Sequence, residues 1–255
     1  MSTERRGIAG SDVRLSVISF GSMRMHERKV DDVHWQNLLA ESVEMGVSSC
    51  HSSDEYESFP LLCRILAHLR TIGVAQRMQH IVKLAAPHFG EFTFEPERLR
   101  QRVESYLTDL GVERLDVIQW MWRGDLKQEE QRLVSFQENL HRIDMAFTDL
   151  RKEGKVGAVL PFPYTQAFGH ISLAQPWCAG LALYLNPLEV ESLELVREAA
   201  STNRSILAIR PLAAGRILQT GHAVRDAISW TLAQPAVVTG IVSYSSVEHL
   251  KQLAF

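Results

Sequence analysis

The sequence predicts a single eight-stranded βα barrel, the (β/α)8 or TIM barrel, and two observations carry that prediction. Short runs rich in β-branched residues recur along the whole chain, and amphipathic stretches with helical spacing separate them. This alternation is typical of parallel strands joined by crossover helices. The 255 residues suffice for one such barrel, and no Pro/Gly/Ser-rich linker divides residues 1–255 into two domains.

The predicted elements follow one another at regular intervals. The eight candidate strands are residues 17–20, 47–51, 80–84, 116–121, 156–160, 181–185, 206–209 and 237–242. Apolar residues with helical spacing occur between them, at Trp35, Leu38, Leu39 and Val43, at Leu99, Val103, Leu107 and Leu110, and at Leu193, Val196 and Ala200. Pro96 fits a first helical turn, and Ser245 with Glu248 forms a candidate capping box for the last helix.

Two features accompany the fourth strand. Alternation along this strand puts Trp120 and Trp122 on the opposite side from Met121, where they would pack between strand and helix. The polar stretch 123–132, which contains Lys127, is predicted to be an exposed loop after the strand. Such loops form the catalytic face of a βα barrel, so the stretch is either near a ligand or a solvated spacer.

Composition excludes several classes of protein. The net charge of −3 and the pI near 6.4 provide no broad positive surface for nucleic acid. No run of about 18 apolar residues and no secretory leader is found, so we expect no membrane association. Cys50, Cys63 and Cys178 are odd in number and scattered, which predicts reduced thiols and a cytoplasmic protein.

No metal site is expected. His51 and Asp54, together with Cys50 or His26, are the nearest approach to a ligand set, but they have no recognised metal-binding spacing.

Several short motifs occur in the order found in one enzyme family. They are Leu15 to Met25 (LSVISFGSMRM), Gly46 to Tyr56 (GVSSCHSSDEY), Ile81-Val-Lys83, Val103 to Gly111 (VESYLTDLG), Leu115 to Gln119 (LDVIQ), Leu150 to Lys155 (LRKEGK), Asn186-Pro-Leu188 and Arg210 to Gly215 (RPLAAG). This ordered set, spanning almost the whole chain, resembles the aldo-keto reductases. The resemblance implies a barrel that reduces a carbonyl to an alcohol with NADP(H).

In that family a tyrosine protonates the carbonyl oxygen while hydride arrives from the nicotinamide, and a lysine cation makes the phenol a better acid. Tyr56 and Lys83 match these two positions. The help is needed because a phenol has an ordinary pKa of about 10 and holds its proton firmly at neutral pH. Without the resemblance, either residue would be interpreted as structural: a strand-end tyrosine and a solvated lysine.

Two of the four catalytic positions differ from the family pattern. His51 stands where the resemblance implies an aspartate, and Met121 where it implies a histidine. A neutral imidazole supplies no negative charge to balance Lys83. A thioether is only a weak hydrogen-bond acceptor, so we expect the carbonyl to be held less firmly.

The two ends of the implied cofactor site differ in how well they match. Val159 to Pro163 and Ala182 replace the polar residues that hold the nicotinamide carboxamide in the family. The phosphate end is better matched, because backbone N–H groups at a helix start and nearby basic residues bind phosphate. Its candidate residues are Arg210, Leu212, Gly215, Arg216, Ser243, Ser245, Ser246 and Lys251, although a capped helix beside surface arginines explains the same pattern.

Two functions stay open at this point. One is a divergent NADP(H)-dependent carbonyl reductase acting on a small-molecule carbonyl compound, and the other is a catalytically inactive barrel that serves as a regulatory or binding subunit for a protein partner. The chain ends at Phe255, soon after the last predicted helix, so we expect the family's C-terminal substrate loop to be absent and the mouth to be open or completed by a partner.

Overall fold

A computed structural model describes residues 4–221 and 223–253. Eight parallel strands form a nearly closed barrel, with the order β7-β6-β5-β4-β3-β10-β9-β8, and a two-stranded antiparallel hairpin, β1-β2, precedes them. The strands are β1 (Arg5–Gly7), β2 (Arg14–Ser16), β3 (Ile18–Gly21), β4 (Ser49–Ser52), β5 (Gln79–Ala85), β6 (Leu115–Met121), β7 (Val156–Pro161), β8 (Gly180–Tyr184), β9 (Ser205–Ile209) and β10 (Val237–Val242). Between β7 and β8 the Ala179 N–H donates to the Val159 carbonyl at 2.9 Å. The predicted βα barrel is confirmed.

Helices surround the barrel on its outer side. They are α1 (Asp32–Glu44), α2 (Phe59–Thr71), α3 (Pro96–Leu110), α4 (Glu129–Glu138), α5 (Leu140–Lys152), α6 (Gln166–Leu173), α7 (Leu193–Ser201), α8 (Val224–Leu232) and α9 (Val247–Gln252), with 3-10 turns at Ser22–Glu27, Ala75–Arg77 and Ala213–Gln219. Among the described residues no helix is both long and apolar enough to cross a membrane.

Local sequence signals explain where several helices begin. Asp31 caps α1 by accepting from the His34 N–H, and Pro96 begins α3 as predicted. Two predictions need correction by a residue or so. The cap of α9 is Ser246 rather than Ser245, because it is the Ser246 side chain that accepts from the His249 N–H. In α7 the buried stripe is Leu195, Val196 and Ala199, whereas Leu193 is half-buried and Ala200 is exposed.

The barrel interior is a packed core, and the hairpin closes it at the N-terminal ends of the strands. Ile8, Val13 and Leu15 of the hairpin region join the apolar cluster inside the barrel. The hairpin is held at the N-terminal ends of the strands, because the Arg6 side chain donates to the carbonyl of Val237 at 2.8 Å, where β10 begins. The sequence did not predict this plug, and the catalytic residues of βα barrels lie at the opposite, C-terminal end of the strands.

The region after β6 differs in part from the prediction. Trp120 and Trp122 are fully buried outside the barrel, as expected, and Trp122 stacks on Phe94 with ring centroids 5.9 Å apart. The stretch 123–132 is exposed only in its middle. Arg123 and Arg132 at its two ends are buried, because each binds a carboxylate and stacks on an aromatic ring. The prediction of an exposed loop was therefore wrong at both ends of the stretch.

Residues 254–255 lie outside the described part of the chain. The expectation of a missing C-terminal loop, made at Phe255, stays a prediction.

Candidate active site

A locked turn after β4 carries Tyr56 to the mouth of the barrel. The Tyr56 N–H donates to the Ser53 carbonyl at 3.1 Å, and the Ser53 hydroxyl donates to the Lys83 carbonyl at 3.2 Å. The Tyr106 hydroxyl, from α3, lies between Asp54 and the same Lys83 carbonyl. These bonds tie the turn to the neighbouring strand β5, so Tyr56 and Lys83 lie side by side.

Three of the four predicted catalytic residues are in direct proximity. The Lys83 Nζ lies 4.8 Å from the centroid of the Tyr56 ring, and the His51 ring centroid lies 6.0 Å from that of Tyr56. Met121, the fourth, ends strand β6, and its Sδ lies 3.6 Å from Arg123 Nη2. Arg123 in turn reaches the residue beside Tyr56, so all four belong to one cluster.

His51 is a buried, neutral imidazole. Its Nε2 lies 2.8 Å from Gln119 Oε1, and because an amide oxygen only accepts, that nitrogen carries the proton. Burial lowers the pKa of His51 to about 4, and the Lys83 charge acts in the same direction against the Gln119 hydrogen bond. No negative charge therefore stands at position 51.

Two residues that the sequence analysis missed complete the cluster. The Glu55 carboxylate lies 2.7 Å from Lys83 Nζ. It also accepts hydrogen bonds from both terminal nitrogens of Arg123, one of them at 2.8 Å. Burial alone would raise the pKa of Glu55, but hydrogen bonds from Arg123 and Lys83 lower it to about 2. Glu55 is thus fully ionised at neutral pH, and it is the counter-ion of Lys83.

A signal for these two residues was present in the sequence. Glu55 precedes Tyr56 directly, and Arg123 follows Met121 by two residues, so strand alternation puts Arg123 on the side of the barrel interior. Its side chain is only 6% exposed. A charged residue on the inward face of a strand end calls for a buried partner of opposite charge.

The Tyr56 phenol is protonated across the neutral range. Burial raises its pKa, the Glu55 charge raises it further, and Arg123 only partly opposes them. Lys83 Nζ, 4.8 Å from the centroid of the Tyr56 ring, is itself paired with Glu55 at 2.7 Å. In this geometry the phenol is a weak acid that always holds its proton at neutral pH.

The wall opposite Tyr56 is aromatic where the family pattern implies amide partners. Phe162 is buried between Tyr164 and Tyr184, with ring centroids at 5.2 and 5.0 Å. Ala182 is buried inside the barrel. This side of the mouth therefore presents flat rings and few hydrogen-bonding groups.

The two arginines predicted for the phosphate end lie together. Arg210 stacks on Tyr184, at 4.6 Å from the ring centroid, and Arg216 Nη2 lies 2.6 Å from Glu189 Oε1. Arg210 Nη1 reaches the same carboxylate oxygen at 3.9 Å. Half-buried Leu212 precedes the turn that contains Gly215, which has a φ of 93°, and Arg210 itself has a φ of 57°. Such backbone conformations are costly for non-glycine residues and are common at binding sites.

The other phosphate-side candidates lie around the end of β10. The Ser243 hydroxyl donates to the Gly21 carbonyl at 2.7 Å, the Ser245 carbonyl lies 2.9 Å from His34 Nε2, and Ser246 caps α9. Lys251 is exposed. Within the described residues no hydrogen bond or ion pair connects this group to Arg210 or Arg216.

Comparisons with known proteins support the fold. No protein-family model matches the sequence, and no curated protein does. Among solved structures, a Pseudomonas aeruginosa protein assigned as an aldo-keto reductase is 20% identical with a TM-score of 0.78, covering 99% of this chain and 95% of that one. An aldo-keto reductase from Bacillus halodurans, in its holo form, is 15% identical with a TM-score of 0.75, covering 98% and 89%.

A third structure is an aldo/keto reductase from Klebsiella pneumoniae in complex with NADP and acetate. It is 18% identical with a TM-score of 0.72, and the match covers 96% of this chain and 87% of that one. The chain thus has the fold of the aldo-keto reductases over nearly its whole length.

Proposed function

We propose that the protein is an oxidoreductase of the aldo-keto reductase type, which reduces a carbonyl to an alcohol with NADP(H). Tyr56 is the proton donor and Lys83 its electrostatic partner. The observation that carries the proposal is the ammonium of Lys83 over the Tyr56 ring at 4.8 Å, at the C-terminal mouth where βα barrels keep their catalytic residues.

The proton chemistry follows from the Tyr56 environment. A bound NADPH supplies the hydride to the carbonyl carbon. As the carbonyl oxygen gains negative charge it becomes a far stronger base than a phenolate, so the Tyr56 proton moves to it even though burial raises the phenol pKa. The phenolate left behind lies next to Lys83 and Arg123, whose two positive charges exceed the single negative charge of Glu55. It regains its proton from water.

The donor set fits the phosphate end of a dinucleotide. Two guanidinium groups, Arg210 and Arg216, already bind one carboxylate, that of Glu189, and guanidinium groups bind phosphate in the same way. At the other end the rings of Phe162 and Tyr184 offer apolar faces for a planar group. We therefore assign Arg210 and Arg216 to the phosphates and the aromatic wall to the nicotinamide.

Two observations favour the alternative, a catalytically inactive barrel that binds a ligand or a protein partner. The pKa of Tyr56 is raised, chiefly by burial, rather than lowered. Positions 51 and 121 also hold a histidine and a methionine where the resemblance implies an aspartate and a histidine.

Two measurements separate these functions. Titration with NADPH, followed by nucleotide fluorescence, tests the cofactor assignment. We expect saturable binding, and its absence at high micromolar concentration contradicts the reductase.

With aldehydes and ketones as substrates, Tyr56→Phe should lower kcat at least about 100-fold, the usual contribution of a general acid. Tyr244→Phe is the matched control, because the Tyr244 hydroxyl bonds Ser42 outside the barrel and should leave kcat unchanged. Normal turnover by the Tyr56 variant removes the acid assignment.

A further inference from the structure

We infer that Glu55, held by Arg123, is a positioning residue that supplies Lys83 with the carboxylate missing from position 51. The inference rests on the proposed function and deepens it, since it names the group that keeps Lys83 over the Tyr56 ring. The partly buried Lys83 ammonium carries a positive charge that has to be balanced. The Lys83 side chain is only 17% exposed, and its sole ion-pair partner among the described residues is Glu55.

Position 51 cannot fill this role. His51 is neutral, and its Nε2 donates to Gln119 Oε1 at 2.8 Å. This nitrogen therefore offers Lys83 neither a hydrogen-bond acceptor nor a negative charge. A partly buried ammonium without a carboxylate has a high desolvation cost. Glu55 approaches the same ammonium at 2.7 Å from the turn that also carries Tyr56.

Arg123 fixes the direction of the Glu55 carboxylate. Its two terminal nitrogens bind both carboxylate oxygens, its Nε lies 3.3 Å from the Tyr164 hydroxyl, and its guanidinium stacks 4.6 Å from the centroid of the Phe89 ring. A planar guanidinium paired on two sides and stacked on a ring has little freedom to rotate. The His88 Nε2, 2.9 Å from Glu55 Oε1, borders the same carboxylate on the solvent side.

The consequence of removing the Glu55 charge follows from these contacts. Lys83 and Arg123 would then be two cations facing each other across a neutral amide, and the more flexible Lys83 would leave the Tyr56 ring. A displacement of about 1 Å in a catalytic group commonly lowers a rate about 100-fold. Glu55 makes no contact with Arg210 or Arg216, so binding of a dinucleotide should change little.

The test uses Glu55→Gln, Glu55→Asp and the control Glu57→Gln in the full chain. Glu57 lies on the same turn but is 83% exposed, and its partner is His26. The first measurement needs no turnover: labelling of Lys83 by an amine-selective reagent, quantified by mass spectrometry against the exposed Lys127. We expect labelling of Lys83 to rise about tenfold in Glu55→Gln, to rise less in Glu55→Asp and to stay unchanged in Glu57→Gln. Unchanged labelling in Glu55→Gln overturns the inference, whether or not the protein is a reductase.

The second measurement is the steady-state reduction of an aldehyde. Glu55→Gln should lower kcat about 10- to 100-fold with KM within about threefold, the pattern of a lost interaction in the transition state. Glu55→Asp should recover part of kcat, because a carboxylate is retained one methylene short of Lys83. Full kcat in Glu55→Gln overturns the inference. Absence of NADPH binding and of reduction in the unmodified protein refutes the proposed function instead, and the labelling result then still decides whether Glu55 holds Lys83.

Discussion

The Glu55 carboxylate should make the stability of this protein depend on pH in a defined window. Glu55→Gln keeps the size and shape of the side chain but removes its charge, so the difference in unfolding free energy between the two proteins isolates that charge. The folded-state pKa of Glu55 is about 2, because Arg123 and Lys83 favour the ionised form over the cost of burial.

The direction of this pH dependence and the pH range in which it occurs follow from the lowered pKa of Glu55. A carboxyl group whose pKa is lower in the folded state contributes stability above its unfolded pKa of about 4.3, and the contribution is lost as the pH falls toward the folded value. A fall from about 4.3 to about 2 corresponds to about 3 kcal/mol. Since the side chain is 28% exposed and solvent screens its pairs, we expect about 1–2 kcal/mol.

Urea unfolding at pH 7, 5, 4 and 3 measures this quantity. Trp35, Trp120, Trp122 and Trp177 are fully buried, so their fluorescence reports the loss of the core. Glu55→Gln should be about 1–2 kcal/mol less stable than the unmodified protein at pH 7, and about half of this difference should be lost at pH 3. Groups that titrate equally in both proteins cancel in the difference.

A pH-independent difference would contradict this prediction. If the difference between the two proteins is the same at pH 3 as at pH 7, Glu55 does not lose its contribution by protonation, and its ion pairs with Lys83 and Arg123 do not lower its pKa. Glu57→Gln, at an exposed site, should remain within about 0.5 kcal/mol of the unmodified protein throughout.

Two further predictions concern the barrel and its phosphate end. Gly180→Ala should lower the free energy of unfolding in urea by more than about 3 kcal/mol, because the added Cβ would lie 1.8 Å from the Ser205 carbonyl oxygen. Gly240→Ala is the control and should cost less than about 1 kcal/mol, since its Cβ meets nothing closer than 3.7 Å. Equal stability of the two variants would contradict the packing argument. Glu189→Gln should strengthen binding of inorganic pyrophosphate about three- to tenfold by calorimetry, since it frees Arg216 from a carboxylate at 2.6 Å, and unchanged affinity would mean that phosphate does not bind there.

The barrel strands were predictable because their signal is local. A parallel strand covered on both faces usually consists of β-branched or apolar residues. All eight predicted segments fall within two residues of the observed strands, although β4 contains a single apolar residue, Cys50. The hairpin at residues 5–16 had no comparable signal. Ile8, Val13 and Leu15 are separate apolar residues in a mostly polar segment. They are buried because they pack into the N-terminal end of the barrel, a contact that no local pattern predicts.

The buried arginines were missed because a general rule about charge was applied where its exception holds. Runs of charged residues are usually solvated, and the stretch 123–132 has the composition of such a run. What buries Arg123 is Glu55, 68 residues earlier in the chain, and no local pattern reports a partner at that distance. The partner of Lys83 was missed for the same reason. The resemblance implies a carboxylate only at position 51, where this chain has histidine, and it did not indicate Glu55.

The neutral histidine at position 51 and the carboxylate at position 55 are linked through Lys83. An aspartate at position 51 would be buried beside a lysine already paired with Glu55, and two carboxylates competing for one ammonium raise each other's pKa. A histidine at 51 without Glu55 would leave the ammonium unbalanced. Here the carboxylate that pairs with Lys83 comes from the turn that also carries Tyr56. Lys83 therefore has a negative partner although position 51 is neutral, so the histidine at position 51 does not by itself decide between the two proposed functions.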